Sequence, residues 1–390
     1  MGYARFLAYA LFNGVRLDRW VWMVFLLSRG YSMGQVALAK VVFDVTVLAT
    51  EVPTGYLADR FGKKPFLAAG SLTGLASALV FIRAHSFLLV AVGMALRALT
   101  YTLPSGSDRA YLHDAVIHAG DCDRFSQVLS RYASAGALGL FIAGLVGGFL
   151  ADHSWTHLYA GEAVFASIGA LVALQLPSVP SIPDETGSES ERAAGVWHSL
   201  RSLRLRAGLL VLVGIAALYW SSGTVKFLLA QPLLSRRGLG PGWIAAALSV
   251  TDLLTVVGAR IAARLSGGTR RRAIPWLAAG ESALTVLLVL PALASTLFAL
   301  ASSQVLGAVT GVVLDSRILD EAPRALRSTL MSLVSSSTSL LTMAIFPVLG
   351  AVSDRFGLQT ALLSVTGLFA VVAIVALSLA GLESASPETA

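Results

Sequence analysis

The chain has 390 residues, 56% of them hydrophobic and only 13% charged, with a formal net charge of +7 and a mean hydropathy of +0.74. A soluble protein carries about 25% charged residues, so this composition excludes a water-soluble globular protein and implies an integral membrane protein. The basic excess does not mark a nucleic-acid binder, because the cations sit in short loops between apolar runs rather than along one soluble face.

Each span needs about 20 apolar residues, and twelve are placed in chain order. The first half gives 5–27, 33–58, 65–83, 87–111, 126–150 and 155–176; the second gives 207–230, 242–265, 273–291, 294–317, 327–350 and 359–381. The expected fold class is all-α and membrane-integral: twelve transmembrane helices in two six-helix bundles. The bundles are 1–176 and 207–390, the second ending in a short polar tail, with a cytoplasmic linker 177–206 between them.

The first run is broken by Arg16, Asp18 and Arg19 and continues to Leu27, too long and too polar for a cleaved signal. On a continuous helix Asn13, Arg16 and Trp20 share a face while Asp18 points elsewhere. In span 2, Lys40 and Asp44 are four apart and are expected to pair along the helix. That span ends in Gly55-x-Leu57-Ala58-Asp59-Arg60-x-Gly62-Lys63-Lys64. Its small residues let backbones approach, Asp59 and Arg60 place fixed charges at a helix end, and three cations mark the turn as cytoplasmic.

Span 4 carries Arg97, then Thr100-Tyr101-Thr102 and Ser105-Gly106-Ser107-Asp108-Arg109-Ala110-Tyr111-Leu112. Span 5 carries Gly139-x-x-x-Ala143-Gly144-x-x-Gly147-Gly148, whose small residues permit close helix contact. The linker opens with Pro177, Pro180, Pro183 and an acidic, Ser-rich patch that cannot order itself. It then turns basic at Arg201, Arg204 and Arg206, interleaved with leucines, as a piece lying on anionic lipid would. The halves repeat weakly: Gly148 and Gly350, Gly55 and Gly258, and Leu112 and Ile318 are offset by 202, 203 and 206, as two parallel repeats would leave them.

With the N-terminus inside, seventeen lysines and arginines, from Arg5 through Lys63 and Lys64 to Arg324 and Arg327, fall on the inner side. Five (Arg29, Arg83, Arg236, Arg237 and Arg355) fall outside, so both termini are expected in the cytoplasm. The single cysteine, Cys122, lies in a cytoplasmic loop and rules out an internal disulfide. No histidine pair has helical ligand spacing, and Gly62-Lys63 lacks the upstream glycine of a phosphate loop, since position 57 is Leu57. Neither metal nor cofactor is expected, and energy has to come from an ion gradient.

Ionisable groups near a bilayer midplane are expensive and point to function. The middle layer holds Arg16, Asp18, Arg19, Lys40, Asp44, Arg97 and Asp252. Asp18, flanked by Arg16 and Arg19, is the expected proton carrier, with Glu51 and Asp252 in reserve. Aromatics such as Trp20, Trp22, Tyr219 and Trp220 suit many ligands and name none.

The Gly55 to Lys64 stretch closely resembles the signature between helices 2 and 3 of the major facilitator superfamily of secondary transporters, with every fixed position met. The resemblance implies two bundles rocking about a central site lined by spans 1, 4, 7 and 10. It places Asn13, Arg16, Arg97, Tyr219, Trp220 and Gln304 near the substrate and gives Arg97 the position of the family's span-4 arginine, linked to proton movement. The glycine expected after that arginine is absent from Thr100-Tyr101-Thr102. Ser105 to Leu112 resembles the inner end of span 4 in bacterial efflux members. Span 5 resembles the antiporter signature, with Ala143 for its glycine and Gly144 for its proline.

The resemblance further implies an inner gate formed by Gly55, Asp59, Arg60, Gly62 and Lys63. In it Asp59 meets the start of span 11 near Arg327-Ser328, and Arg60 reaches a span-4 carboxylate, Asp108 or Asp114. The implied function is proton-coupled export of an amphipathic small molecule through the cell membrane, as in the drug:proton antiporter branch. One alternative is proton-coupled uptake of a small organic anion, favoured by four cations (Arg16, Arg19, Lys40, Arg97) facing three carboxylates. Another is a lipid flippase or scramblase. The expected partners are a small-molecule substrate, protons and membrane lipid, and no enzymatic activity is implied.

Overall fold

A computed structural model of the protein describes residues 3–120, 124–179, 207–265, 267–322 and 326–385. The expectations for Cys122, for the linker from Pro180 through its acidic patch to Arg206, and for Arg324 lie outside these residues. Among the described residues there are fourteen α-helices and no strand. They are α1 (Ala4–Gly14), α2 (Trp22–Ser28), α3 (Met33–Phe61), α4 (Lys63–Ile82), α5 (Phe87–Thr102), α6 (Ser107–His118), α7 (Phe125–His153) and α8 (Trp155–Leu174). Then come α9 (Ala207–Arg236), α10 (Pro241–Ala263), α11 (Gly267–Val289), α12 (Leu293–Glu321), α13 (Arg327–Phe356) and α14 (Leu358–Ala385).

With α5 and α6 taken as one rod, nine helices among the described residues are long and apolar enough to cross a membrane. Leu79, Phe149, Leu171, Trp243, Trp276 and Ile374 are each more than half exposed. Large apolar side chains left on the outside of such helices suit a lipid environment rather than water, and a backbone can cross a bilayer only as helices or closed barrels that satisfy their own hydrogen bonds. The protein is an all-α, multi-pass membrane protein.

Two compact units are present. One holds α1 to α8 with the start of α10 through Ser249; the other holds α9, α10 from Val250, and α11 to α14. Within the first, α4 packs against α5 and α8, and α1 against α7. Within the second, α11 packs against α12 and α14, and α9 against α13. The same neighbours recur at equivalent positions, in step with the offsets in the sequence.

Two expected spans are not continuous. Span 1 stops at Gly14 and resumes at Trp22, with a turn in which the Asp18 carbonyl accepts the Val21 and Trp22 N–H groups, each at 2.8 Å. The Asn13, Arg16, Trp20 helical face therefore does not form. The break is possible because Leu17 and Asp18 are sealed inside protein, where non-helical backbone at membrane depth is tolerated. On the far side, α7 presents Gly147, at which any Cβ would run into the Leu17 carbonyl. Span 4 stops at Thr102 and resumes at Ser107, because Pro104 has no N–H to continue the ladder. The α3–α4 turn is the single residue Gly62, at φ 91°, a conformation that favours glycine.

Candidate functional site

The break in span 1 sets Asp18 against Arg97 of α5, and α8 brings Glu162 to the same guanidinium. Arg97 Nη1 donates to Asp18 Oδ2, and Nη2 donates to Glu162 Oε1 at 2.8 Å. Tyr159, one turn before Glu162, donates its hydroxyl to Asp18 Oδ2 at 3.3 Å. Asp18 is 1% exposed and Glu162 8%. One oxygen of each, Asp18 Oδ1 and Glu162 Oε2, is buried without a hydrogen-bond partner among the described residues. One guanidinium between two carboxylates leaves a negative charge in excess, which is costly in a low-polarity interior. A bound proton on one carboxylate cancels it, and the charge of Arg16 close by offsets part of it.

Arg16 stands beside this group in the span-1 break. Its guanidinium lies 3.3 Å from the centroid of the Tyr101 ring, and it makes no ion pair with another described residue. A cation–π contact contributes about 0.5–2 kcal/mol, whereas taking a charge out of water costs several. Arg16 therefore retains attraction for an anion. It lines two cavities of the first unit: one with Asn13, Ser71, Arg97, Thr100 and Glu162, the other with Asp18, Arg19, Lys40, Arg97 and three aromatic rings. Lys40 pairs with Asp44 along α3 at 2.5 Å, as their spacing predicts. Glu51, the reserve proton carrier, is exposed on α3 and joins none of these groups.

In the second unit, Gln304 of α12 donates to Asp252 Oδ1 of α10 at 2.8 Å, so an expected binding residue and an expected proton carrier meet. A further cluster is fully enclosed. Lys226 of α9 bonds Glu281 Oε2 of α11 and Ser303 of α12, Ser303 donates to Glu281 Oε2 at 2.5 Å, and the Tyr219 hydroxyl donates to Glu281 Oε1 at 3.4 Å. Tyr219 is 2% exposed, so its hydroxyl serves an internal contact, while the Trp220 ring packs at the α-carbon of Gly311.

Residues 8–341 match the family model described as Major Facilitator Superfamily. The chain belongs to the Major Facilitator Superfamily. The resemblance carried by Gly55 to Lys64 is borne out at that level, and the superfamily is one of membrane transporters. A Bacillus subtilis (strain 168) protein described as the uncharacterized MFS-type transporter YxaM is 28% identical over 130 residues, 33% of this chain and 32% of that protein. The match thus spans about a third of that relative's length. Among solved structures, the nucleoside transporter NupG aligns with a TM-score of 0.72 at 13% identity, over 96% of each chain. A peptide transporter POT in complex with sulfate aligns at 0.71 and 18%, over 97% of this chain and 93% of that one. A D-xylose-proton symporter aligns at 0.71 and 14%, over 96% of each. At these identities they show that this superfamily member has the same fold.

In this superfamily member the signature turn is built differently from the expected pairing. Lys63, not Arg60, reaches the span-4 carboxylate, with its Nζ 2.5 Å from Asp114 Oδ2. Because Gly62 reverses the chain at once, Lys63 starts α4, which packs along α6, whereas Arg60 remains on the exposed end of α3 above the Phe61 ring. Asp108 accepts from the Tyr132 hydroxyl at 2.5 Å and from the Arg109 N–H at 2.7 Å. Gly55 has open space at its α-carbon. Asp59 is exposed, with no hydrogen bond or ion pair to another described residue. At the other end of the first unit, Asp152 Oδ1 accepts the Gly242 N–H at 2.9 Å and so caps α10.

Sequence reading missed Glu162, Lys226 and Glu281. All three are single charges inside apolar runs, the signal that singled out Arg97 and Asp252.

Proposed function

We propose that the protein is a secondary active transporter that moves an amphipathic small molecule by alternating access, coupled to protons, with both termini in the cytoplasm. The observation that carries this reading is the Arg97 guanidinium shared by Asp18 and Glu162, each with an unpartnered buried oxygen. Two carboxylates competing for one cation form a proton-dependent device: a proton on Asp18 leaves Glu162 as the charged partner of Arg97 and frees the break in span 1 to move against α5 and α8, whereas a proton on Glu162 leaves Asp18 holding the break to Arg97. A solved structure of the same fold is described as a D-xylose-proton symporter, which lends support to coupling of this kind.

Export is supported by the resemblance of α7 to the antiporter signature. The second reading, proton-coupled uptake of an organic anion, is favoured by Arg16, which has no carboxylate partner among the described residues. A proton on the Arg97 group and an anion at Arg16 each favour the other, because each offsets the charge the other adds.

The test uses purified protein in proteoliposomes, with and without an imposed pH gradient. Asp18→Asn and Glu162→Gln are each expected to abolish accumulation against a gradient while substrate binding stays within a few-fold of wild type. If both variants still concentrate substrate, coupling does not run through Arg97. Movement of substrate with the proton rather than against it decides for uptake.

A further inference from the structure

We propose that the first unit holds an organic-anion site, in which Arg16 takes a carboxylate or sulfonate and the rings of Trp22, Phe43 and Tyr101 take a flat apolar body. This rests on the transporter reading and names the substrate class of the same site.

Four cations and one carboxylate line the cavity: Arg16, Arg19, Lys40 and Arg97 against Asp18. Lys40 is paired with Asp44, and Arg97 with Asp18 and Glu162. Among the described residues Arg16 makes no ion pair, and its guanidinium lies over the Tyr101 ring. Stacking on a ring leaves the in-plane N–H edge available, and that edge matches the two oxygens of a carboxylate. Phe43 meets Tyr101 edge-on, with centroids 5.3 Å apart, and Tyr101 is 37% exposed, so the charge sits beside an open aromatic wall. An amine in this cavity meets the like charge of Arg16, which no carboxylate among the described residues offsets by an ion pair. A neutral body leaves Arg16 unmatched. An amphipathic anion answers both features at once.

The experiment titrates the purified full chain, in neutral maltoside detergent, with naphthoate, naphthamide and naphthylmethylamine, followed by tryptophan fluorescence and calorimetry. Naphthoate should bind about ten-fold or more tightly than the amide, and the amine weakest. Arg16→Gln should bring naphthoate down to the affinity of the amide, and Arg16→Lys, a charge without the planar fork, should keep part of the difference. Equal affinity for acid and amide, tighter binding of the amine, or no binding of naphthoate overturns the site, and this wild-type comparison holds even if a variant fails to fold. Added phosphatidylglycerol should leave naphthoate binding in place; full competition would assign the cation to a lipid headgroup instead. Binding needs no gradient. Naphthoate binding without proton coupling would therefore refute the coupling and keep the site, whereas coupled transport of an amine or amide alone would do the reverse.

Discussion

At the level of single residues, the two buried charge clusters differ in balance. Lys226 and Glu281 are one cation and one carboxylate, 5% and 1% exposed, with Ser303 and Tyr219 satisfying the carboxylate oxygens. A cluster so completed needs no further proton or ligand to balance it. Losing one member of such a pair costs about 3–5 kcal/mol, while replacing both by apolar side chains is close to neutral. Lys226→Met is thus expected to lower the unfolding temperature sharply, and Lys226→Met with Glu281→Leu to restore most of it. Thermal unfolding of the three proteins in detergent measures this. A double variant that regains stability and still transports removes the pair from the mechanism. The Arg97 group is the opposite case, with two carboxylates on one guanidinium and with oxygens left unpartnered among the described residues.

Among the helices, α7 organises the first unit from both sides. Gly147 admits the Leu17 carbonyl of the span-1 break, while Gly148, next to it, lies against Gly242 and Ala245 of α10. The seam that resembles an antiporter signature is thus also a packing seam, and α10 is seated further by the Asp152 cap. Gly147→Ala puts a methyl group where the Leu17 carbonyl lies, an overpacking that costs about 1–3 kcal/mol. The break has to shift, and Asp18 moves off Arg97. Gly136→Ala on the same helix meets only the Ala10 carbonyl at 3.8 Å, an ordinary contact. Stability and gradient-driven accumulation should both fall in Gly147→Ala and hold in Gly136→Ala. Equal behaviour of the two variants would separate the α7 seam from the Asp18 position.

For the molecule as a whole, orientation rests on charge. The loops assigned inside carry most of the lysines and arginines, and translocating such loops is disfavoured. Cys122 is the only cysteine, which makes it a clean reporter. An impermeant thiol reagent should label it from the cytoplasmic side only, in inverted vesicles and not in intact cells. Labelling in intact cells would invert the topology.

The sequence by itself determined what depends on local composition and spacing. Apolar runs of bilayer length require helices, Gly62 requires a turn, residues four apart on a helix require a Lys40–Asp44 pair, and the Gly55 to Lys64 signature places the chain in its superfamily. Only the tertiary structure decided which distant charges meet. Arg97 lies 79 residues from Asp18 and 65 from Glu162, and Lys226 lies 55 from Glu281. Helical periodicity states which residues share a face but not which neighbouring helix that face meets. The break in span 1 was hidden for a related reason. Its residues read as an apolar run interrupted by charges, and what makes unwinding tolerable is the burial supplied by a distant glycine on α7.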